Sequence, residues 1–551
     1  MYCKKEKLSM NKFSIKRLSA AVLGVAVLGL AGVVSQVYAV APPSRVAVVP
    51  ASVSDKEALI EWDGPAKDAS QAAYYKVYVD GKQVGSTDTT PSTYGAASIA
   101  EFRKSYEGQG LPALKAHTYK LTNLEANHTY NISVKSVSDK GVISKDAAMA
   151  TVTTTATPKT VNILSYGAVG DDKTMNTKAI QQAIDAVPEG GVVEIPKGTF
   201  LSGALFVKNN MTIHLDKGAV LKESANPADL KLGADKRYHG LINADNVKNL
   251  RIVGSGTIDG NGWKTVENKD EYMRFTKTTS LEQAGVGAYE QVKAAEKEGF
   301  SFHNAFLARS STLKLNNVEN VYIDGVTLRN PALHMIVASG RNVTLYNTDI
   351  HTYNTNNGDG IDFTGQHLLV DNSRLDTGDD AVDLSAGFGL KAAKNAPTSD
   401  IRVYNSFFRR GHGGMAVGSH TGSWIQDIHV SDSVFDGTDT ALRLKTGATV
   451  GGGARNVTFD RNIVAHPHGP AISLSTTYRD PNGNYDYTPA TAPGRFYDVT
   501  VENSVIFGNP KYPGVVLDTT ADNPFGNVVF RNVEFHNTGK NIVRNAENIE
   551  I

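Results

Sequence analysis

The sequence has almost no cysteine. Of its 551 residues only Cys3 carries a thiol, and it lies ahead of an apolar stretch. Beyond that point disulfide staples and thiolate metal sites are excluded, so stability must come from a large core. Charge of one sign is also missing, since 56 Lys and Arg balance 56 Asp and Glu. A polybasic surface of the kind that grips nucleic acid is therefore not expected. Long hydrophobic runs are limited to one, Leu18 to about Val34; no other segment is long enough to span a bilayer. Glycine, by contrast, is plentiful at 51 residues, which suits a fold with many turns.

The one apolar run comes after Lys4, Lys5, Lys7, Lys12, Lys16 and Arg17 and ends at Val37-Tyr38-Ala39, a small-residue cleavage site. Residues 1–39 are expected to be a secretory signal peptide rather than an anchor, with Met10 a possible initiator, and the protein is expected to be exported to the periplasm or medium. Their removal takes away six basic residues and one acidic residue and leaves 50 basic against 55 acidic. Such a chain can bind a polyanion only through a local basic site. Residues 40–155 alternate at period two in Ala58-Leu59-Ile60-Glu61-Trp62 and Tyr75-Lys76-Val77-Tyr78-Val79, with Asp80-Gly81 as a hairpin turn. A Trp on an early strand and a Tyr entering a late one, in Thr129-Tyr130-Asn131-Ile132, resemble a fibronectin type III sandwich. Thr151 to Thr160 reads as a linker.

From about residue 160 the texture changes. A helix is expected over Asn176 to Val187, with Ile180, Ala183, Ile184 and Val187 on one stripe, capping the N-terminal end of a repetitive region. In that region Asn249-Leu250-Arg251-Ile252, Asn320-Val321-Tyr322-Ile323, Asn342-Val343-Thr344-Leu345 and His367-Leu368-Leu369-Val370 align. Asp400-Ile401, Asp427-Ile428, Asn456-Val457, Asp498-Val499 and Asn527-Val528 continue the series. After Asn320 the starts are 22, 25, 33, 27, 29, 42 and 29 residues apart, a base period in the twenties with loop insertions. Short strands without intervening helices point to an all-β class: a right-handed parallel β-helix over residues 160–551 behind the N-terminal sandwich. The Asn positions at the repeat turns are expected to form side-chain ladders.

Four polar groups break the pattern on consecutive coils. They are Asn357-Gly358-Asp359, Gly378-Asp379-Asp380, Gly411-His412-Gly413 and Arg443-Leu444-Lys445. Aligning Gly360-Ile361-Asp362-Phe363 with Ala381-Val382-Asp383-Leu384 and Ala441-Leu442-Arg443-Leu444 stacks Asp359 on Asp380, with Asp379 one residue earlier. Parity turns Ile361, Phe363, Val382, Leu384, Leu442 and Leu444 inward and Arg443 and Lys445 outward, and places Asp359 and Asp380 at the turn before the strand. Three crowded carboxylates repel, so one should keep a proton while the others stay ionised. That is the requirement of glycoside hydrolysis, an acid for the leaving oxygen and a base for water. His412 can hydrogen-bond the acid, and Arg443 and Lys445 can grip a sugar carboxylate, which implies a uronic acid polymer.

These four motifs, in this order, resemble the polygalacturonases of glycoside hydrolase family 28. The resemblance covers residues 160–551, with one departure, since Asn-Gly-Asp replaces the usual Asn-Thr-Asp and puts the local turn in question. It implies inverting hydrolysis of α-1,4 links in polygalacturonate, with Asp379 the general acid, Asp359 and Asp380 the pair activating water, His412 supporting the acid, and Arg443 and Lys445 binding the carboxylate. It implies no cofactor, no metal and a protein working as a monomer on pectate. Asp362 and Asp383 invite a calcium reading, but no further acidic cluster supports one. His334 and His351 are read as neighbours of the site or as surface residues. The interruptions Lys264 to Ser310 and Thr476 to Arg495 match members with a fibronectin-like domain, in which they wall off one end of the cleft. That implies exo action releasing digalacturonate; the residues by themselves leave endo action open. Pectate lyase, rhamnogalacturonan or xylogalacturonan hydrolase and a non-catalytic glycan-binding solenoid are the rivals.

Overall fold

The computed structural model describes residues 40–67, 69–264, 277–479, 486–546 and 549–550. The expected leader lies outside them. Among the described residues no helix is long and apolar enough to cross a membrane.

The N-terminal part is an antiparallel sandwich. Arg45–Val48, Ala58–Asp63 and Thr118–Leu121 form one sheet, and Lys82–Ser86, Tyr74–Val79, Thr129–Val137 and Ala148–Thr153 the other. Trp62 and Tyr75 fill its centre with ring centroids 5.2 Å apart. A helix that the period-two pattern did not announce, Tyr94–Ser105, interrupts the sandwich. Its buried Ile99 and Phe102 pack on Phe407, Val434, Ile463 and Val505, which lie on an outer face of the second part.

That second part is a parallel β-helix. The capping helix runs Thr177–Ala186, with Asn176 and Val187 at its ends, and buries Ile180, Ala183 and Ile184 against the main core. Strands then pair in parallel, each with the next coil, in an unbroken register. Leu250 lies beside Val321, Val321 beside Val343, Val343 beside Leu368, and the series continues through Ile401, Ile428, Val457 and Val499 to Val528. These residues form a continuous apolar column, which supplies the core expected in place of disulfides.

The repeat signature has a backbone cause. Asn249, Asn320, Asn342, His367, Asp400, Asp427, Asn456, Asp498 and Asn527 all hold φ between 51° and 61°. Left-handed backbone costs an L residue roughly 1–2 kcal/mol unless a short polar side chain compensates. Here the side chains do so by stacking: Asn249 donates to Asn210 at 2.6 Å, Asn320 to Asn249 at 2.8 Å and Asn342 to Asn320 at 2.7 Å. Three coils bend without a break, in Leu313–Asp324, Ile336–Tyr346 and Ile361–Asp371. Gly340 and Gly365 stand at that corner with φ of 132° and 150°, and a Cβ on Gly365 would lie 1.9 Å from the Gly340 carbonyl oxygen.

The coils are not free of helices, as the repeat had suggested. Beyond the short turns Pro227–Leu230 and Gly389–Ala392, the first interruption folds as Lys277–Ala284, Gly287–Lys297 and Phe302–Leu307. Val292, Ala295 and Phe306 pack with Trp263, Leu230 and Ala332 into a satellite core at one end of the cleft.

Candidate active site

The cleft floor is the strand face that carries Ile361–Asp371, Val382–Leu384, Gly413–Val417 and Thr440–Lys445. Its register is the one expected: Asp362 pairs with Asp383, Asp383 with Ala416, and Ala416 with Arg443. Ile361, Phe363, Val382, Leu384, Leu442 and Leu444 are fully buried, so the side chains between them face the groove.

Asp359 and Asp380 sit in the turns just ahead of their strands, and Gly360 N donates to Asp380 O at 3.0 Å across the stacked pair. The left-handed residue of the first turn is Asn357, with φ 56°, not the glycine after it. Gly358 is there for space: a Cβ would meet Thr352 O and Thr355 Cβ at 2.7 Å. Its carbonyl accepts from Thr352 Oγ1 and from the Gly378 and Asp379 amides, which locks the two acid-bearing turns together.

Oxygens of Asp359, Asp379 and Asp380 lie within 4.8 Å of one another. Asp379 receives its own neighbour's amide, Asp380 N, at 3.0 Å, and the Asn357 amide Nδ2 at 3.3 Å. His412 Nδ1 lies 3.2 Å from Asp379 Oδ1. Lys445 Nζ donates to Asp380 Oδ2 at 2.7 Å, and an Arg443 nitrogen lies 3.5 Å from Asp380 Oδ1. All six residues singled out in the sequence therefore meet in one place. The two cations meet Asp380 directly, which sequence parity did not foretell.

Several further residues belong to the same site. Tyr478 lies with its ring centre 5.8 Å from both Arg443 and Lys445. His334 Nδ1 lies 3.0 Å from Asp359 Oδ1 and its Nε2 3.5 Å from Asp362 Oδ2. His351 is elsewhere, paired with Asp349 at 3.0 Å, so the two histidines part company. Arg309, fully buried, donates to Asn356 O at 3.0 Å and Asn357 Oδ1 at 3.3 Å, which props the first catalytic turn. No motif flags Arg309 or His334, because Arg309 comes from the insertion and His334 from the coil before the first motif.

Electrostatics divide the acids. Burial, reinforced by Asp379 and Asp380, pushes Asp359 well above the usual carboxylate range. Burial likewise raises Asp362, against the opposing pull of His334, and Asp383, against that of Lys445. Burial works to raise Asp379 too, but His412, Lys445 and Arg443 outweigh it and leave that carboxyl well below the ordinary range. Burial and its acidic neighbours thus favour a proton on Asp359, whereas His412, Lys445 and Arg443 disfavour one on Asp379. Asp362 and Asp383 each keep one buried oxygen without a hydrogen bond. Two groups, His334–Asp359–Asp362 and Asp359–Asp379–Asp380, have metal-like spacing, but the second already holds Lys445 against Asp380.

A solenoid groove with clustered carboxylic acids, one stacked on another and flanked by an Arg and a Lys, defines a glycoside hydrolase of the parallel β-helix class that handles acidic sugars. Residues 189–550 match the glycosyl hydrolases family 28, and residues 41–150 match the fibronectin type III domain. The chain belongs to glycoside hydrolase family 28. It is 37% identical over 509 residues to an exo-poly-alpha-D-galacturonosidase of Dickeya chrysanthemi, covering 88% of this chain and 83% of that one. A solved family 28 exopolygalacturonase from Yersinia enterocolitica superposes with a TM-score of 0.83 at 32% identity, over 93% of this chain and 96% of that one. An endo-polygalacturonase of Pectobacterium parmentieri is 27% identical and covers 66% of this chain.

Proposed function

We propose that this enzyme hydrolyses the α-1,4 links of polygalacturonate from the chain end and releases digalacturonate. The observation that carries the reading is the contact of Lys445 and Arg443 with the acid cluster, which sets a carboxylate-binding pair beside the cleaved bond. Asp379 gives its proton to the leaving oxygen. Asp359, once its proton has passed to Asp379, and Asp380 hold the attacking water and take its proton. Asp379 must first gain a proton that the free site denies it. A sugar carboxylate bound to Lys445 and Arg443 supplies part of the condition, because its negative charge offsets two of the three groups that hold Asp379 down, His412 being the largest. His412 keeps the acid oriented.

Inversion is proposed on the family resemblance. The nearest carboxylate oxygens are closer than the roughly 6.5–9.5 Å usual between inverting carboxyl groups, so the water must sit between Asp359 and Asp380 rather than opposite a distant base. The anomer first released, read by proton NMR, tests this, and a retained anomer overturns it. Exo action is supported by the exo-acting relatives, and the helical insertion beside the cleft is read in the same sense. The domain plan of a leader at 1–39, a sandwich at 40–155 and the β-helix at 160–551, export of a monomer, and action without a metal are part of the same reading. Chromatography of early products from polygalacturonate tests the mode: a single dimer is expected, and a ladder of lengths means endo action. Ultraviolet-absorbing unsaturated products would instead mean a lyase.

A further inference from the structure

One group of cations in the cleft has no task in the reaction just described. The outward row of the floor runs Lys314, Val337, Asp362, Asp383, Ala416, Arg443 on successive rungs. Lys314 lies two rungs, roughly 10 Å, to the N-terminal side of Asp362, and Arg443 lies three rungs to the C-terminal side. Beside Lys314 stands a short hairpin closed by a Leu232–Tyr238 bridge, with Asp235, Lys236 and Arg237 at its tip. Lys314 Nζ donates to Asp235 Oδ2 at 2.6 Å, which ties the tip to the floor. Tyr238 N donates to Ala308 O at 2.8 Å, which leans the hairpin on the end of the helical insertion. The Arg237 side chain is exposed and has no acceptor among the described residues. Its charge reaches inward, since buried His334 and Arg309, both bordering the catalytic turn, are disfavoured as cations partly by Arg237.

A 1,4-linked uronic acid chain carries one carboxylate per sugar, at a repeat close to one rung of the floor. On one side of the acid cluster Arg443 and Lys445 meet those carboxylates. On the other side the floor row offers only Asp362 and Val337 before Lys314 is reached. We propose that Lys314 and Arg237 form a second carboxylate subsite, which grips the galacturonate two residues from the cleaved bond and thereby fixes the product at two sugars. Asp235 holds Lys314 in place until a sugar carboxylate displaces it. This rests on the polygalacturonate reading and adds to it the residues that count product length.

The test uses the full chain and its Lys314→Met/Arg237→Met variant, with digalacturonate binding by calorimetry beside kinetics on trigalacturonate and polygalacturonate. Loss of two charge-assisted contacts should weaken digalacturonate binding about tenfold or more and raise KM similarly. kcat should change far less, and monomer should appear among the early products. Asp235→Asn, which releases Lys314, should tighten digalacturonate binding a few-fold. An unchanged calorimetric affinity in the double variant overturns the subsite, whether or not the wild type cleaves polygalacturonate. A wild type that binds digalacturonate through these residues but releases no reducing sugar from the polymer overturns the activity and leaves the subsite standing.

Discussion

Two buried carboxylate sites in this molecule are built in opposite ways. Where the sandwich meets the β-helix, Asp432 is fully buried and fully answered. Arg461 grips both its oxygens at 2.8–2.9 Å, His117 lies at 2.7 Å, and the Lys115 amide donates at 2.7 Å. His117 stacks on Tyr404 at 4.1 Å. Burial alone would raise Asp432, but Arg461 and His117 overcome it and hold the group far below the ordinary range. In the cleft, buried Asp359 meets His334 at 3.0 Å, partly buried Asp362 and Asp383 each keep an oxygen without a hydrogen bond, and all three are pushed up. The difference separates a group that fixes the packing of two domains from groups kept proton-hungry for chemistry. Asp432 and these three raised acids also answer pH with opposite signs. A lowered folded pKa stabilises above the unfolded value near 4, and that stability is lost as pH falls through the folded value. Raised pKa values stabilise below about 4 and lose that stability as pH rises through the folded values.

The comparison breaks first at Asp379. Asp379→Asn should lower reducing-sugar release by about 10²–10⁴-fold or more and lower the melting temperature modestly at neutral pH, since it gives up a charge that His412, Lys445 and Arg443 stabilise. Steady-state rates and thermal melts on the same preparation check both halves. Asp432→Ala should do the converse. It strands the Arg461 cation and should cost about 3–5 kcal/mol in unfolding experiments, with kcat per folded molecule unchanged. Asp383→Asn sharpens the contrast. It removes a carboxyl with an unpartnered oxygen and should raise stability by about 1 kcal/mol or more at neutral pH while lowering kcat.

Glu223 offers a pH-dependent version away from both sites. It is fully buried, ties Ser310 at 2.6 Å and Gln291 at 3.4 Å to the strand Ala219–Glu223, and is raised by burial to about 8. Its stabilisation is complete below about 4.5 and lost as pH rises through about 8. Glu223→Gln should therefore gain stability relative to wild type as pH goes from 5 to 9, read as a growing difference in melting temperature. A constant difference would contradict the burial argument. The smallest effect is expected in the ladder. Asn342→Ala gives up one stacked hydrogen bond and puts Cβ chemistry at φ 57°, for about 1–2 kcal/mol, and Asn342→Gly should recover part of it.

Much of this was legible because a parallel β-helix writes its register into sequence. Left-handed corners favour Asn, Asp or His, twice in most coils, as at Asn342 and Asn347 or His367 and Asn372, so Asn320, Asn342 and His367 announce the coils. Inward Val, Ile and Leu then fix parity, and parity placed Arg443 and Lys445. The contacts of His334, Arg309 and Tyr478 were not legible, because they come from a coil without a motif, from an insertion and from a loop. None of these repeats, so nothing in the chain marks their register. The helix Tyr94–Ser105 was missed for a related reason. Its apolar face is narrow, essentially Ile99 and Phe102, and its partners lie more than 300 residues away. The division of protons between Asp359 and Asp379 depends on burial and on distances to His412 and Lys445, quantities that only the folded chain fixes.

The central claim is that an acid cluster cuts beside a cation pair reserved for a sugar carboxylate. It is tested most directly by kcat/KM on polygalacturonate and on the same polymer fully methyl-esterified. The account predicts a large preference for the free acid in the wild type, and a preference that collapses in Lys445→Met. Equal rates on the two polymers, or a preference that survives in that variant, would contradict it.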